Sequence, residues 1–263
     1  MTEHVTREIN TAEGIHVVTE AISNFRRLYN IDHIIALVGG SQETQDEDII
    51  SAIIRLHGYH VAILSGGTEW GVPHTAVVHA KQHNIKTIGV YPETGKKYAH
   101  GADLLDLRIC VAPTLGESAW GDESEVFAKL LDGVIVFGGS TGTSVELSHL
   151  LKMNEAIMKK EGVLKYIVPV AGTGGAADEL HNHCYNIGAK REALPIDDIT
   201  TGDQAANFLI NRLNLRHRHD EPDHIEHSRS REVKTSYAFD HSHHVYKSRS
   251  HHMTTSEKAL VNT

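Results

Sequence analysis

The chain of 263 residues has only two cysteines, Cys110 and Cys184, and neither belongs to a metal-type cysteine pair. That excludes a disulfide scaffold and a cysteine-based zinc site, and it fits a reduced cytoplasmic setting. No apolar run reaches the roughly 18 residues that a spanning helix needs. The first eight residues lack the charged-then-apolar pattern of a secretion signal. There is no block of Lys or Arg, and the formal net charge is −9 with His neutral. A nucleic-acid binder carries a basic footprint, so neither nucleic acid nor membrane is an expected partner. Two nucleotide motifs are absent as well: neither the G-x-G-x-x-G fingerprint nor a Gly-x-x-x-x-Gly-Lys-Ser/Thr loop occurs.

What the chain does have is glycine, placed after apolar runs. Residues 34–38, Ile-Ile-Ala-Leu-Val, read as a buried strand that ends in Gly39, Gly40 and Ser41. Residues 59–64 form a second apolar run that leads into Gly66, Gly67, Thr68 and Gly71. A third, residues 133–137, leads into Gly138, Gly139, Ser140, Thr141, Gly142 and Thr143, with Glu146 three residues further on. Residues 166–170 lead into Gly172, Thr173, Gly174 and Gly175. Glycine-rich strand-to-helix turns let backbone N–H groups approach an anion, and the helix start adds a favourable field. Repetition of the device points to a nucleotide or sugar-phosphate site.

Between the turns, strand and helix signals alternate. Ile49, Ile50, Ile53 and Ile54 mark one buried helical face, and Leu147, Leu150, Leu151 and Met158 another. Further strands are expected at 86–91 and 107–112, and helices at 11–29, 124–131 and 203–213. Pro73 falls in a first helical turn, where its missing N–H costs nothing. Pro169 lies inside an apparent strand and so belongs at a sheet edge or a bulge. Such alternation implies a doubly wound, mainly parallel Rossmann-like α/β sheet, with ligands bound beyond the carboxyl ends of its strands. The expected organisation is an N-terminal extension (1–30), a nucleotide-binding domain (31–214) and a flexible His-rich tail (215–263).

The turns carry a resemblance. Residues 138–146, Gly-Gly-Ser-Thr-Gly-Thr-Ser-Val-Glu, match the Pro-Gly-Gly-x-Gly-Thr-x-x-Glu signature of Lonely Guy phosphoribohydrolases, with Phe137 in place of the proline. Residues 66–72 and 172–178 look more like the versions found in the N-terminal domains of melastatin-type TRP channels. Both groups belong to the SLOG superfamily, which this chain resembles over about residues 33–185. The resemblance implies phosphate on residues 138–143 and ribose near Glu146. In the hydrolases that glutamate is thought to help stabilise an oxocarbenium-like state as the base leaves. One departure stands out. The hydrolases place a catalytic arginine ahead of the signature, at a position that falls on Asp122, within a stretch lacking Arg and Lys. Arg108 and Arg191 are the cations elsewhere that could replace it.

Blander readings accompany these. The glycines also suit tight turns, Glu146 also suits a helix start, and Thr68 and Thr173 also suit helix caps. Glu117, Asp122, Glu123 and Glu125 read as a solvated loop and helix start. Trp70 and Trp120 flank the expected pocket, where they pack or stack on a base. The tail holds nine histidines between His217 and His252 and no His-Glu-x-x-His pattern. No cofactor is implied, and a divalent metal would belong on that tail. The leading expectation is binding of a phosphorylated nucleoside or ADP-ribose-like ligand by a homo-oligomeric sensor or carrier. The alternatives are a nucleoside monophosphate N-glycosidase with Glu146 central, and a non-catalytic scaffold.

Overall fold

A computed structural model describes residues 7–40, 46–184 and 192–220. Seven strands form one sheet in the order β1-β5-β4-β3-β2-β6-β7. They are β1 (Arg7–Asn10), β2 (His33–Gly39), β3 (Val61–Ser65), β4 (Lys86–Pro92), β5 (Leu107–Val111), β6 (Gly133–Phe137) and β7 (Tyr166–Pro169). Every neighbouring pair is parallel. The interior strand β2 pairs on one side with β3 (Ala36 opposite Leu64) and on the other with β6 (Ala36 opposite Val134). From β2 the chain winds outward to β5, then returns to the far side of β2 as β6. The crevice at that reversal is where such sheets take ligands.

Helices cover both faces. Along β2, Ile34, Ala36 and Val38 point into one core, shared with α1 (Ile15–Tyr29), α4 (Ser124–Leu130), α5 (Thr141–Met158) and α6 (Gly175–Cys184). Ile35 and Leu37 point into the other, shared with α2 (Asp46–Leu56), α3 (Gly71–Gln82) and α7 (Gly202–Leu213). This is the alternation of side chains along a strand, with both faces apolar because both are covered. In α2, Ile49, Ala52, Ile53 and Leu56 are fully buried, while Ile54 remains 53 % exposed. Each large aliphatic so buried contributes about 1.5–3 kcal/mol.

Local signals set the element ends. The helix expected over 11–29 is two pieces: a 3-10 turn at Thr11–Glu13, then Gly14 at φ 108°, then α1. Residues 7–29 thus supply both an edge strand and a helix to the sheet. α1 closes on Asn30 in the left-handed conformation and α7 on Asn214, the role that asparagine shares with glycine at helix ends. Pro73 lies in the first turn of α3, and Pro169 closes β7 at the outer edge of the sheet. The second apolar run begins its strand at Val61. Its Tyr59 instead bridges to His217, which ties the start of the expected tail to the domain. Residues 221–263 of that tail lie outside the described residues. Among the described residues, no helix is long and apolar enough to cross a membrane.

A candidate ligand cavity at the carboxyl ends of the strands

The turns after β2, β3 and β6 open into one cavity of about 590 Å³. Gly39 and Gly40 form its floor after β2, and Gly66 and Thr68 its side after β3. Ser140, Gly142, Thr143 and Glu146 enter from the start of α5. Gly39 allows the three turns to meet: a Cβ there would lie 2.1 Å from the Phe137 carbonyl oxygen. The Thr143 hydroxyl, 3.4 Å from the Gly39 carbonyl oxygen, donates across the same junction. Ser140 is the N-cap of α5, and no side chain caps the helix. The N–H groups of its first turn are therefore available to an anion, on the positive end of the helix dipole.

The other turn residues stand behind this wall. Gly67 packs against Gly89, and Gly71 begins α3. Thr141 is exposed on the outer side of α5. Gly138 and Gly139 carry the backbone to α5. The turn after β7 braces them: the Gly138 N–H donates to the Thr173 hydroxyl at 2.8 Å, and Thr173 donates to the Val170 carbonyl at 2.6 Å. Gly175, at φ 48°, comes so close that a Cβ would lie 2.0 Å from the Gly139 carbonyl oxygen. Gly172 and Gly174 donate to the Asp178 carboxylate, which fixes that turn. Thr173 thus bonds to a neighbouring turn. Ser41 lies outside the described residues.

Facing the glycine turns is an aromatic wall. Tyr98 meets Trp70 edge-on, with centroids 5.0 Å apart, and lies nearly parallel to Trp120 at 6.4 Å. Both tryptophans and Tyr98 line the cavity. The Glu69 N–H donates to the Tyr98 carbonyl, and the His100 N–H to that of Gly67, so the turn after β3 and the segment holding Tyr98 are stitched together. Sequence reasoning passed over Tyr98, whose only signal is an aromatic residue soon after a strand end.

The electrostatics of the cavity are unusual for an anion site. No Lys, Arg or His lines it among the described residues. Two carboxyl groups do, Glu123 and Glu146. Burial, and then the nearby Glu123, push Glu146 up to about 8. Burial also raises Glu123, against the pull of a hydrogen bond from the Gly121 N–H. Glu123 had read as part of a solvated loop; its place on the cavity wall is a feature that the run of acidic residues concealed. Asp122, at the position of the hydrolases' arginine, turns back on its own loop and accepts from the Ala119 N–H at 2.8 Å. Arg108 is engaged elsewhere, with the Tyr91 hydroxyl at 3.1 Å and with Glu8. Arg191 lies outside the described residues.

A parallel, doubly wound sheet with glycine turns converging on an uncapped helix start defines a Rossmann-like α/β architecture. More narrowly, residues 32–164 match the SLOG cluster4 family, and the chain belongs to it. No curated protein matches the sequence significantly. Among solved structures, TM1055, a structural-genomics target, is similar at 18 % identity and TM-score 0.51, over 68 % of this chain and 99 % of its own. The molybdenum cofactor carrier protein of Chlamydomonas reinhardtii is 19 % identical at TM-score 0.49, over 69 % of this chain and 98 % of its own. DNA processing protein A of Streptococcus pneumoniae is 20 % identical at TM-score 0.42, over 68 % of this chain and 62 % of its own. Identities this low speak to the fold and not to the ligand.

Proposed function

We propose that this chain binds a phosphorylated nucleoside or an ADP-ribose-like molecule, as a sensor or carrier. The observation that carries this reading is the convergence, on one 590 Å³ cavity, of an uncapped helix start and an aromatic wall. The phosphate takes the N–H groups of Ser140, Gly142 and Thr143 and the Ser140 hydroxyl. The ribose lies near Glu146, and the ring stacks on Trp70, Tyr98 or Trp120. A Glu146 carboxyl pushed up to about 8 is mostly protonated at neutral pH and so does not repel a neighbouring phosphate in a cavity that no described cation lines.

The two carboxyl groups favour a second reading, an N-glycosidase that releases base and ribose 5-phosphate. A protonated Glu146 can donate to a leaving group, and Glu123 is a second acid beside it. One experiment separates the readings. Excess protein is incubated with AMP, GMP, CMP, UMP, NAD and ADP-ribose. The ultrafiltrate is chromatographed, and so is the material released on denaturing the protein. An intact nucleotide depleted from the filtrate and recovered on denaturation supports binding. Free base in the filtrate, lost in Glu146→Gln, means hydrolysis. Neither depletion nor cleavage at millimolar nucleotide leaves the scaffold reading.

A further inference from the structure

The aromatic wall retains much open ring surface. Trp120 is 55 % exposed and Trp70 36 % exposed, although both lean on Tyr98. Ring faces of this kind carry negative potential and attract cations. The Lys97 ammonium already uses the Tyr98 ring, 4.7 Å from its centre. Lys97 is exposed and does not line the cavity, so solvent screens its charge there, and the open ring surface is that of Trp70 and Trp120. Glu123 lines the same cavity, and no basic side chain does among the described residues. A neutral base would gain stacking alone from these groups. A ring bearing positive charge would gain stacking, cation–π attraction and the pull of the Glu123 carboxyl together.

We infer that the ring subsite formed by Trp70, Tyr98, Trp120 and Glu123 selects a positively charged heteroaromatic ring. The ligand class is a nucleotide with an N-alkylated cationic base, such as an N-ribosylated pyridinium or an N-methylated purine. This rests on the nucleotide reading above, which supplies the phosphate end; the ring charge is the added element. The helix start at Ser140 and the aromatic wall then divide one zwitterionic ligand between them, its anionic end on backbone N–H groups and its cationic end on π faces.

Matched ligands that differ in ring charge test the inference by calorimetric titration of the full chain. One pair is nicotinamide mononucleotide and its reduced dihydropyridine form. A second is 1-methyl-AMP, cationic at neutral pH, and AMP. The charged member of each pair is expected to bind about tenfold more tightly. Trp120→Leu, at an exposed loop position that does not threaten the fold, and Glu123→Gln should each shrink that ratio toward unity. Tyr98→Phe keeps the π face and should preserve it. Equal affinity within both pairs overturns the charged-ring inference and leaves nucleotide binding standing. If no nucleotide binds, N-methylnicotinamide decides: its binding supports the ring subsite while removing the phosphate reading, and its failure overturns both.

Discussion

Carboxyl groups at the two ends of the sheet live under opposite rules. At the amino ends of the strands, Asp106 and Asp132 are held by donors. Asp106 pairs with Lys81 at 3.0 Å and Lys86 at 3.1 Å, and accepts from the Thr87 N–H at 3.0 Å. Asp132 accepts from Arg26 and from the Ile34 N–H, each at 2.8 Å. Burial pushes both carboxyls up, but these partners outweigh it and hold both below the usual aspartate range. At the carboxyl ends, Glu123 and Glu146 face a cavity that no cation lines among the described residues, and burial raises them. The fold satisfies its acids where it needs only to join strands. It leaves them unneutralised where a ligand would sit, the placement expected of functional groups.

The largest expected effect breaks the satisfied end. Asp106→Ala removes the common partner of two lysines and one backbone N–H, so it should cost about 2–4 kcal/mol at neutral pH, measured by chemical denaturation. Ligand affinity should not change, because the cavity is at the other end of β4 and β5. A loss under about 1 kcal/mol would mean that Lys81 and Lys86, which are 28 % and 25 % exposed, rehydrate freely and that the clamp is ornamental.

Next comes the sign of the pH dependence. Asp106 and Asp132 have depressed pKa values, so the stability they contribute is present above their unfolded range near 3.8 and is lost as pH falls through their folded values. Glu146 works the other way. Its pKa rises from 4.5 to about 8, so its contribution is complete below 4.5 and is lost as pH rises through about 8. Glu146→Gln should therefore flatten the alkaline limb, leaving the variant about 1–3 kcal/mol more stable than the parent near pH 9, relative to their difference near pH 5. The figure is below the full linkage value because the cavity opens to water. Parallel pH profiles for the two proteins would show that Glu146 ionises freely and that the contrast between the two ends is false.

Much of the architecture was legible in the sequence because it rests on periodicity and on glycine. The apolar runs at 34–38, 133–137 and 166–170 became β2, β6 and β7, and the stripe of Ile49 and Ile53 became the buried face of α2. Pro169 announced an edge strand. The cavity was legible only in part. Glycine patterns show where the backbone turns, so Gly39, Gly66 and Ser140 could be placed near one another. They do not show which turn lines the space and which braces it from behind, as Thr173 does for Gly138. That depends on which strands are neighbours, and β7 adjoins β6 alone. Glu123 was read as solvated, and Tyr98 was passed over, for a related reason. Each comes from a segment without periodicity, and only the winding of the sheet brings them to the cavity that Glu146 lines.

The smallest effect sharpens the comparison within the cavity itself. Of the two causes that raise Glu146, burial is the larger and the charge of Glu123 the lesser. Glu123→Gln keeps an acceptor for the Gly121 N–H and removes only the charge. The Glu146 titration, followed by carbon-13 NMR of its carboxyl, should then move down toward the ordinary range but stop well short of it, because burial remains. A return to the ordinary range would make charge repulsion the dominant cause. An unmoved titration would make the two acids independent, and a shared proton would then have no part in any chemistry proposed for this cavity.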